Sequence, residues 1–251
     1  MGLLATTNLV KHFGQTRAVD HVDFTVRERE MLGLIGSNGA GKTTLVNLIS
    51  GLIRPDGGRI LFAGQDVTHQ SINERIRAGI ARSFQLVNLF DHLTAFENIA
   101  LTIFSRQGKT RSMLTLADRD GPVADEAHEV LRQFGLANKA LMLAGGLSQG
   151  ERKLLDVAVA YALRPKLLFL DEPTSGVSTR EKAPIMEVIS AIVRSGDIAA
   201  VVIEHDMDVV FTYSDRIVAM HEGKILAEGT PAEIRANATV TTTLIGSGGA
   251  L

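Results

Sequence analysis

The 251-residue chain contains no cysteine. Disulfides, thiolate metal sites and cysteine nucleophiles are therefore excluded. No window approaches ~18 uninterrupted apolar residues, so no segment reads as a membrane-spanning helix. The start, Met1 to Thr6, lacks a basic segment and a long apolar segment, and does not read as a secretory signal. Charge of neither sign dominates: 26 Lys and Arg face 28 Asp and Glu, a formal net charge of −2. Composition thus gives no global reason to expect nucleic acid or an anionic membrane as partner. Any membrane role must come through another chain. Internal repeats are also missing. With 45% hydrophobic and 22% charged residues, what remains is an ordinary globular composition.

Against this background one run stands out: Gly36-Ser37-Asn38-Gly39-Ala40-Gly41-Lys42-Thr43-Thr44. It matches G-x-x-x-x-G-K-[ST] and follows the apolar run Met31 to Ile35. A strand feeds a glycine-rich turn, and the turn opens a helix whose free N–H groups face phosphate. The glycines let several backbone N–H groups gather around the anion. Lys42 supplies a cation to the terminal phosphates, and the Thr43 hydroxyl is placed for Mg²⁺. The run predicts one nucleoside triphosphate site per chain.

A second element completes that chemistry. Leu167 to Leu170 is an apolar strand ending in Asp171-Glu172. The strand end projects Asp171 from the carboxyl edge of the sheet, where ligands sit in open α/β sheets. Asp171 is the metal carboxylate of this reading. Glu172 points elsewhere and is the candidate general base for an attacking water.

Short strands alternate with helices, which predicts a largely parallel sheet covered on both faces. Expected strands include Val19 to Val26, Arg59 to Phe62, Ile80 to Phe84, Ala199 to Ile203, Arg216 to Met220 and Lys224 to Glu228. Expected helices include Thr43 to Ser50, Ser71 to Ala78, Val123 to Phe134, and one capped by Thr230 with Pro231 at its first position. Thr94 with Glu97, and Ser148 with Glu151, have capping-box spacing. Arg106 to Gly121 is polar and reads as a loop, and Thr239 to Leu251 reads as a frayed tail.

Leu147-Ser148-Gln149-Gly150-Glu151, just upstream of Asp171-Glu172, resembles the LSGGQ signature of the ATP-binding cassette (ABC) family. The resemblance covers essentially the whole chain. It implies an α/β P-loop NTPase core with an antiparallel β subdomain and a helical subdomain. Residues 1–85 and 164–251 would form the core, and 86–163 the helical subdomain carrying the signature. It also implies roles: Phe13 stacks on adenine, Gln85 senses metal and partner, Ser148 and Gly150 form the signature, and His205 is the switch histidine. Taken alone, Phe13 reads as a core aromatic, Gln85 as a strand end and His205 as a surface histidine. Gln149 and Glu151 depart from the family's glycine and glutamine, and Ser178 stands where aspartate is usual.

The resemblance further implies ATP and Mg²⁺ as ligands and a second cassette chain that completes each site. It implies separate membrane permease subunits, an indirect solute-binding protein, no nucleic acid, and a peripheral place on the cytoplasmic membrane face. Ala81 to Phe90 and Ile203 to Phe211 resemble importers of branched-chain amino acids and related amides. The ATPase of a lipid or lipopolysaccharide exporter, and a soluble cassette acting on nucleic acid or ribosomes, are the alternative classes.

Overall fold

A computed structural model describes residues 2–83, 89–108 and 121–245. The order is β1 (Leu4–Phe13), β2 (Thr16–Val22), β3 (Thr25–Val26), β4 (Met31–Gly36), α1 (Lys42–Ser50), β5 (Gly57–Phe62), β6 (Gln65–Asp66), α2 (Ile72–Ala78) and β7 (Ile80–Ser83). Next come α3 (Ala95–Arg106), α4 (Gly121–Gln133), α5 (Gln149–Tyr161), β8 (Leu167–Asp171), α6 (Thr179–Ser195), β9 (Ala199–Ile203) and α7 (Met207–Tyr213). The last are β10 (Arg216–His221), β11 (Lys224–Gly229) and α8 (Pro231–Ala236).

Two sheets form. The larger runs β11-β10-β4-β9-β8-β7, with β11 antiparallel to β10 and all other pairs parallel. The smaller is antiparallel, β2-β1-β5-β6, with β3 also on β1. The α/β core with an antiparallel β portion is thus the observed architecture.

The central strands β8 and β9 are buried at every residue, as near-continuous apolar parallel strands should be. Their alternation separates two cores. Leu168, Leu170, Ala200 and Val202 face a cluster built with α3, α4, α5 and α6. Leu167, Phe169, Val201 and Ile203 face a cluster with α1 and the antiparallel sheet. The loops at the carboxyl ends of β4, β8 and β9 therefore meet at one edge.

Two expectations need correction. Val19 to Val26 is not one strand. His21 takes φ 55, the Asp23 carboxylate accepts the Asn8 N–H at 2.6 Å, and pairing resumes only at β3. The tail is not frayed from Thr239. Asn237 Oδ1 accepts the N–H groups of Thr239 (3.0 Å) and Val240 (3.1 Å), and Val240 packs fully buried beside Phe211 and Ile234. Helical backbone continues to Ile245. The expected helix starts were otherwise close, and Ser71, Thr94, Ser148 and Thr230 all form capping boxes.

Candidate active site

A cavity of about 380 Å³ opens at the carboxyl edge of the parallel sheet. The phosphate loop from Asn38 to Thr44 forms one wall, and Asp171, Glu172 and His205 form another. Three strands, β4, β8 and β9, deliver these residues, which lie far apart in sequence.

The loop's shape depends on glycine at Gly41. Its φ is 100, and a Cβ there would run into the carbonyl oxygen of Ala18. The Gly41 carbonyl accepts the Leu45 N–H at 2.8 Å, which starts α1. The first N–H groups of α1 have no intrahelical acceptor and are available to an anion.

Lys42 is buried and bent back over its own loop. Its Nζ donates to the carbonyls of Gly36 (2.6 Å) and Ser37 (3.1 Å). Burial pushes its ammonium below the usual lysine value, and the negative charge of Glu172 partly offsets that. Thr43 and Thr44 line the cavity.

Asp171 ends β8 and is buried. Arg82, from β7, donates to Asp171 Oδ2 through Nε at 2.7 Å and also through its second terminal nitrogen. Arg82 also donates to Asn47 Oδ1 on α1 at 2.5 Å. One guanidinium thus ties β7, β8 and α1 together below the cavity.

Glu172 takes φ 46, so the chain turns sharply after β8. Its N–H donates to the Ile203 carbonyl at 2.8 Å, which locks the ends of β8 and β9 together. Its Oε1 lies 3.3 Å from His205 Nε2. Beneath them Glu204 is buried. It accepts from Thr174 N–H (2.8 Å), Thr174 Oγ1 (2.7 Å) and its neighbour's amide, His205 N–H (3.2 Å). Glu204 therefore joins the loop after Glu172 to the loop carrying His205.

Phe13 is 53% exposed at the end of β1, paired with Thr16 across the hairpin. Thr16 and Ala18 line the cavity rim. Lys11 Nζ lies 5.6 Å from the centre of the Phe13 ring. The ring is an exposed flat surface next to the strand that forms the cavity rim, rather than a core aromatic.

Ser148 and Gly150 are not brought to this cavity. Ser148 caps α5: its Oγ accepts the Glu151 N–H (3.3 Å), and Glu151 Oε2 accepts the Ser148 N–H (2.8 Å). The other Glu151 oxygen lies 3.0 Å from Lys139 Nζ. These contacts hold the Glu151 carboxyl below the usual carboxylate range, the backbone bond first. The unexpected charge at this position is thus absorbed locally. Ser178 caps α6 through Glu181, donating from Oγ at 2.6 Å and from N–H at 3.0 Å. Gln85 lies outside the described residues, as do Phe84 to Asn88.

Sequence reasoning did not single out Arg82, Lys153 or Glu204. Each is a charged residue inside an apolar strand, at a strand end or on a buried helix face. That pattern is the one available signal, since buried charges require partners.

A glycine-rich loop between a strand and a helix, with a carboxylate at the end of a neighbouring parallel strand, defines a nucleoside-triphosphate-binding α/β protein. The comparisons narrow this class. The family model described as "ABC transporter" matches residues 19–175, more than half of the chain. The chain belongs to the ABC transporter family and is one of its ATP-binding ATPase subunits. It is 34% identical to the high-affinity branched-chain amino acid transport ATP-binding protein LivG of Salmonella typhimurium, over 97% of this chain and 98% of that protein. It is 33% identical to BraF of Pseudomonas aeruginosa, a protein of the same description, with the same coverage. A crystal structure of the ADP conformation of an ATP-binding cassette of an ABC transporter superimposes with TM-score 0.87 at 30% identity, over 98% of this chain and all of that one.

Proposed function

We propose that this chain hydrolyses Mg²⁺-bound ATP to drive import of branched-chain amino acids or related small solutes through separate membrane subunits. The observation that carries the hydrolytic part is the convergence of Lys42, Asp171, Glu172 and His205 on one cavity. The cargo reading rests on the likeness to LivG and BraF.

The donors available for the metal are a hydroxyl at Thr43 and a carboxylate at Asp171. Hard oxygen donors in this small number suit Mg²⁺, which keeps waters and phosphate oxygens as its other ligands. Among the described residues Asp171 uses only Oδ2 for its protein contacts, so the chemistry fits. Gln85 would join them. When bound, the metal neutralises charge on the terminal phosphates. Lys42 exchanges its loop carbonyls for phosphate oxygens, and Phe13 stacks on the adenine. Glu172 takes the proton of the attacking water, and His205 holds that water and the γ-phosphate.

Ser148 and Gly150 act on the nucleotide of a second cassette, and that chain's signature acts here. In support, the signature end of α5 lies apart from its own cavity. Closing the pair excludes water and strengthens every contact to the phosphates. Residues 1–85 and 164–251 form the nucleotide-binding core, and 86–163 the helical subdomain. The subdomain exposes Phe90, Leu141, Met142 and Leu143. Bonds from Ala95 N–H to the Met142 carbonyl (2.9 Å) and from Ala144 N–H to the Leu93 carbonyl (2.8 Å) hold these segments side by side. This apolar surface suits a permease at the cytoplasmic membrane face. No helix of the described residues is long and apolar enough to cross a membrane itself.

The test is Glu172→Gln. The variant binds ATP with unchanged affinity, and its turnover falls by about 10²-fold or more, as loss of a general base predicts. Retained turnover overturns the base assignment. Uptake of labelled leucine by vesicles carrying the chain with its membrane subunits tests the cargo.

A further inference from the structure

Lys153 lies on α5, five residues after Ser148, and is 7% exposed. Its Nζ does not reach the cavity. It donates instead to the main-chain carbonyl of Glu172 at 3.0 Å and to Ser175 Oγ at 2.9 Å. We propose that Lys153 is a positioning residue for Glu172, holding the peptide that aims the base at the attacking water.

The backbone explains why such a holder is needed. Glu172 sits at φ 46, a left-handed conformation that is uncommon for a residue carrying a side chain. Its N–H is fixed by the Ile203 carbonyl at the end of β9. Its carbonyl is fixed from the opposite side by Lys153 and by the Ser175 N–H at 3.1 Å. The two peptide groups flanking Glu172 are thus each held, and its side chain reaches the cavity and His205. A buried ammonium is costly unless it is fully engaged, and a neutral residue would fill the same space without that cost. Its two acceptors lie on the segment that begins with the base.

Lys153 also joins the base to the signature. About 7.5 Å of helix separates it from Ser148, at 1.5 Å per residue. A helix of that length moves as a unit, so a shift at the Ser148 end displaces the Glu172 peptide. This step rests on the reading of Glu172 as the base proposed above.

The test compares Lys153→Met, Lys153→Arg and the Glu172→Gln background. Lys153→Met is expected to lower kcat by about 10–100-fold, the range for a base displaced by about an ångström, with KM for ATP within about twofold. Lys153→Arg, which keeps donors for both acceptors, restores kcat to within a few-fold of the parent. In the Glu172→Gln background, Lys153→Met lowers the residual single-turnover rate no further, because its effect passes through the base. The proposal is overturned if Lys153→Met leaves kcat unchanged, if it lowers the Glu172→Gln rate by its full factor, or if the variant loses nucleotide binding or fails to fold. Retained turnover in Glu172→Gln alone sinks the base assignment instead, so the two failures are distinguishable.

Discussion

The phosphate-loop wall and the signature end of α5 are built to different degrees by one chain. Lys42 and Asp171 are both buried: Lys42 is held by the carbonyls of its own loop, and Asp171 by Arg82 of β7, whose guanidinium also bonds Asn47 on α1. Gly41 leaves no room for a side chain. Ser148 and Gln149 are exposed, and what orders them is a local capping box with support from Lys139. The first wall is complete in itself. The second is a helix end offered outward. On the proposed reading, the difference teaches that nucleotide binding belongs to the single chain, whereas the signature serves a second one.

The strongest way to break this comparison is at the first wall. Lys42→Met removes the cation proposed to meet the terminal phosphates and is expected to lower turnover by about 10²–10³-fold. Titration with a fluorescent ATP analogue should show weakened binding as well. An unchanged affinity would mean that Lys42 stays on its loop carbonyls and does not serve the nucleotide.

Arg82→Gln comes next. It leaves the Asp171 carboxylate buried without its guanidinium, and breaking a pair of this kind costs about 3 kcal/mol. Urea denaturation measures it. A loss below about 1 kcal/mol would place the pair in the class of weak surface bridges, despite its burial.

Much of this wall was legible beforehand, for a physical reason. Phosphate binding by backbone N–H groups demands glycines and a lysine at fixed offsets, so Gly36 to Thr44 announces itself in any sequence. The strand ending at Asp171 is equally plain, because parallel strands buried on both faces read as unbroken apolar runs. Arg82 and Glu204 were hidden because their partners are distant in sequence: Arg82 meets Asp171 and Asn47, and Glu204 meets Thr174. No periodicity encodes such pairings. The break at His21 and the ordered turn at Asn237 were missed for a related reason. Side-chain bonds from Asp23 and Asn237 decide them, and such bonds compete with the regular pattern.

A third test concerns the helix that carries the signature. Asp156, on α5, is 8% exposed, and burial pushes its carboxyl up from the usual 3.8 to about 7, with Lys153 pulling the other way. The folded state therefore keeps its proton at pH values where the unfolded state has released it. Stability from this group is greatest at acid pH and falls as pH rises, until the folded value is passed. Between pH 5 and pH 8 the loss is roughly 2–3 kcal/mol by linkage. Asp156→Asn should flatten that slope and raise the pH 8 thermal midpoint above the parent's. A variant with the same slope as the parent would show that Asp156 is not its source.

The smallest effect sharpens the comparison most. Ser148→Ala removes the acceptor that caps α5, a change costing about 0.5–1 kcal/mol of stability. Since Ser148 does not line the cavity of its own chain, ATP affinity measured on the dilute single chain should stay within about twofold of the parent. Turnover should still fall, and most at protein concentrations where the parent's specific activity rises with concentration. That split separates the two walls by experiment: Lys42→Met weakens binding at any dilution, and Ser148→Ala acts only when chains meet. If Ser148→Ala weakened ATP binding in the dilute chain as much as Lys42→Met does, the signature would belong to its own cavity, and the second wall would not depend on a second chain.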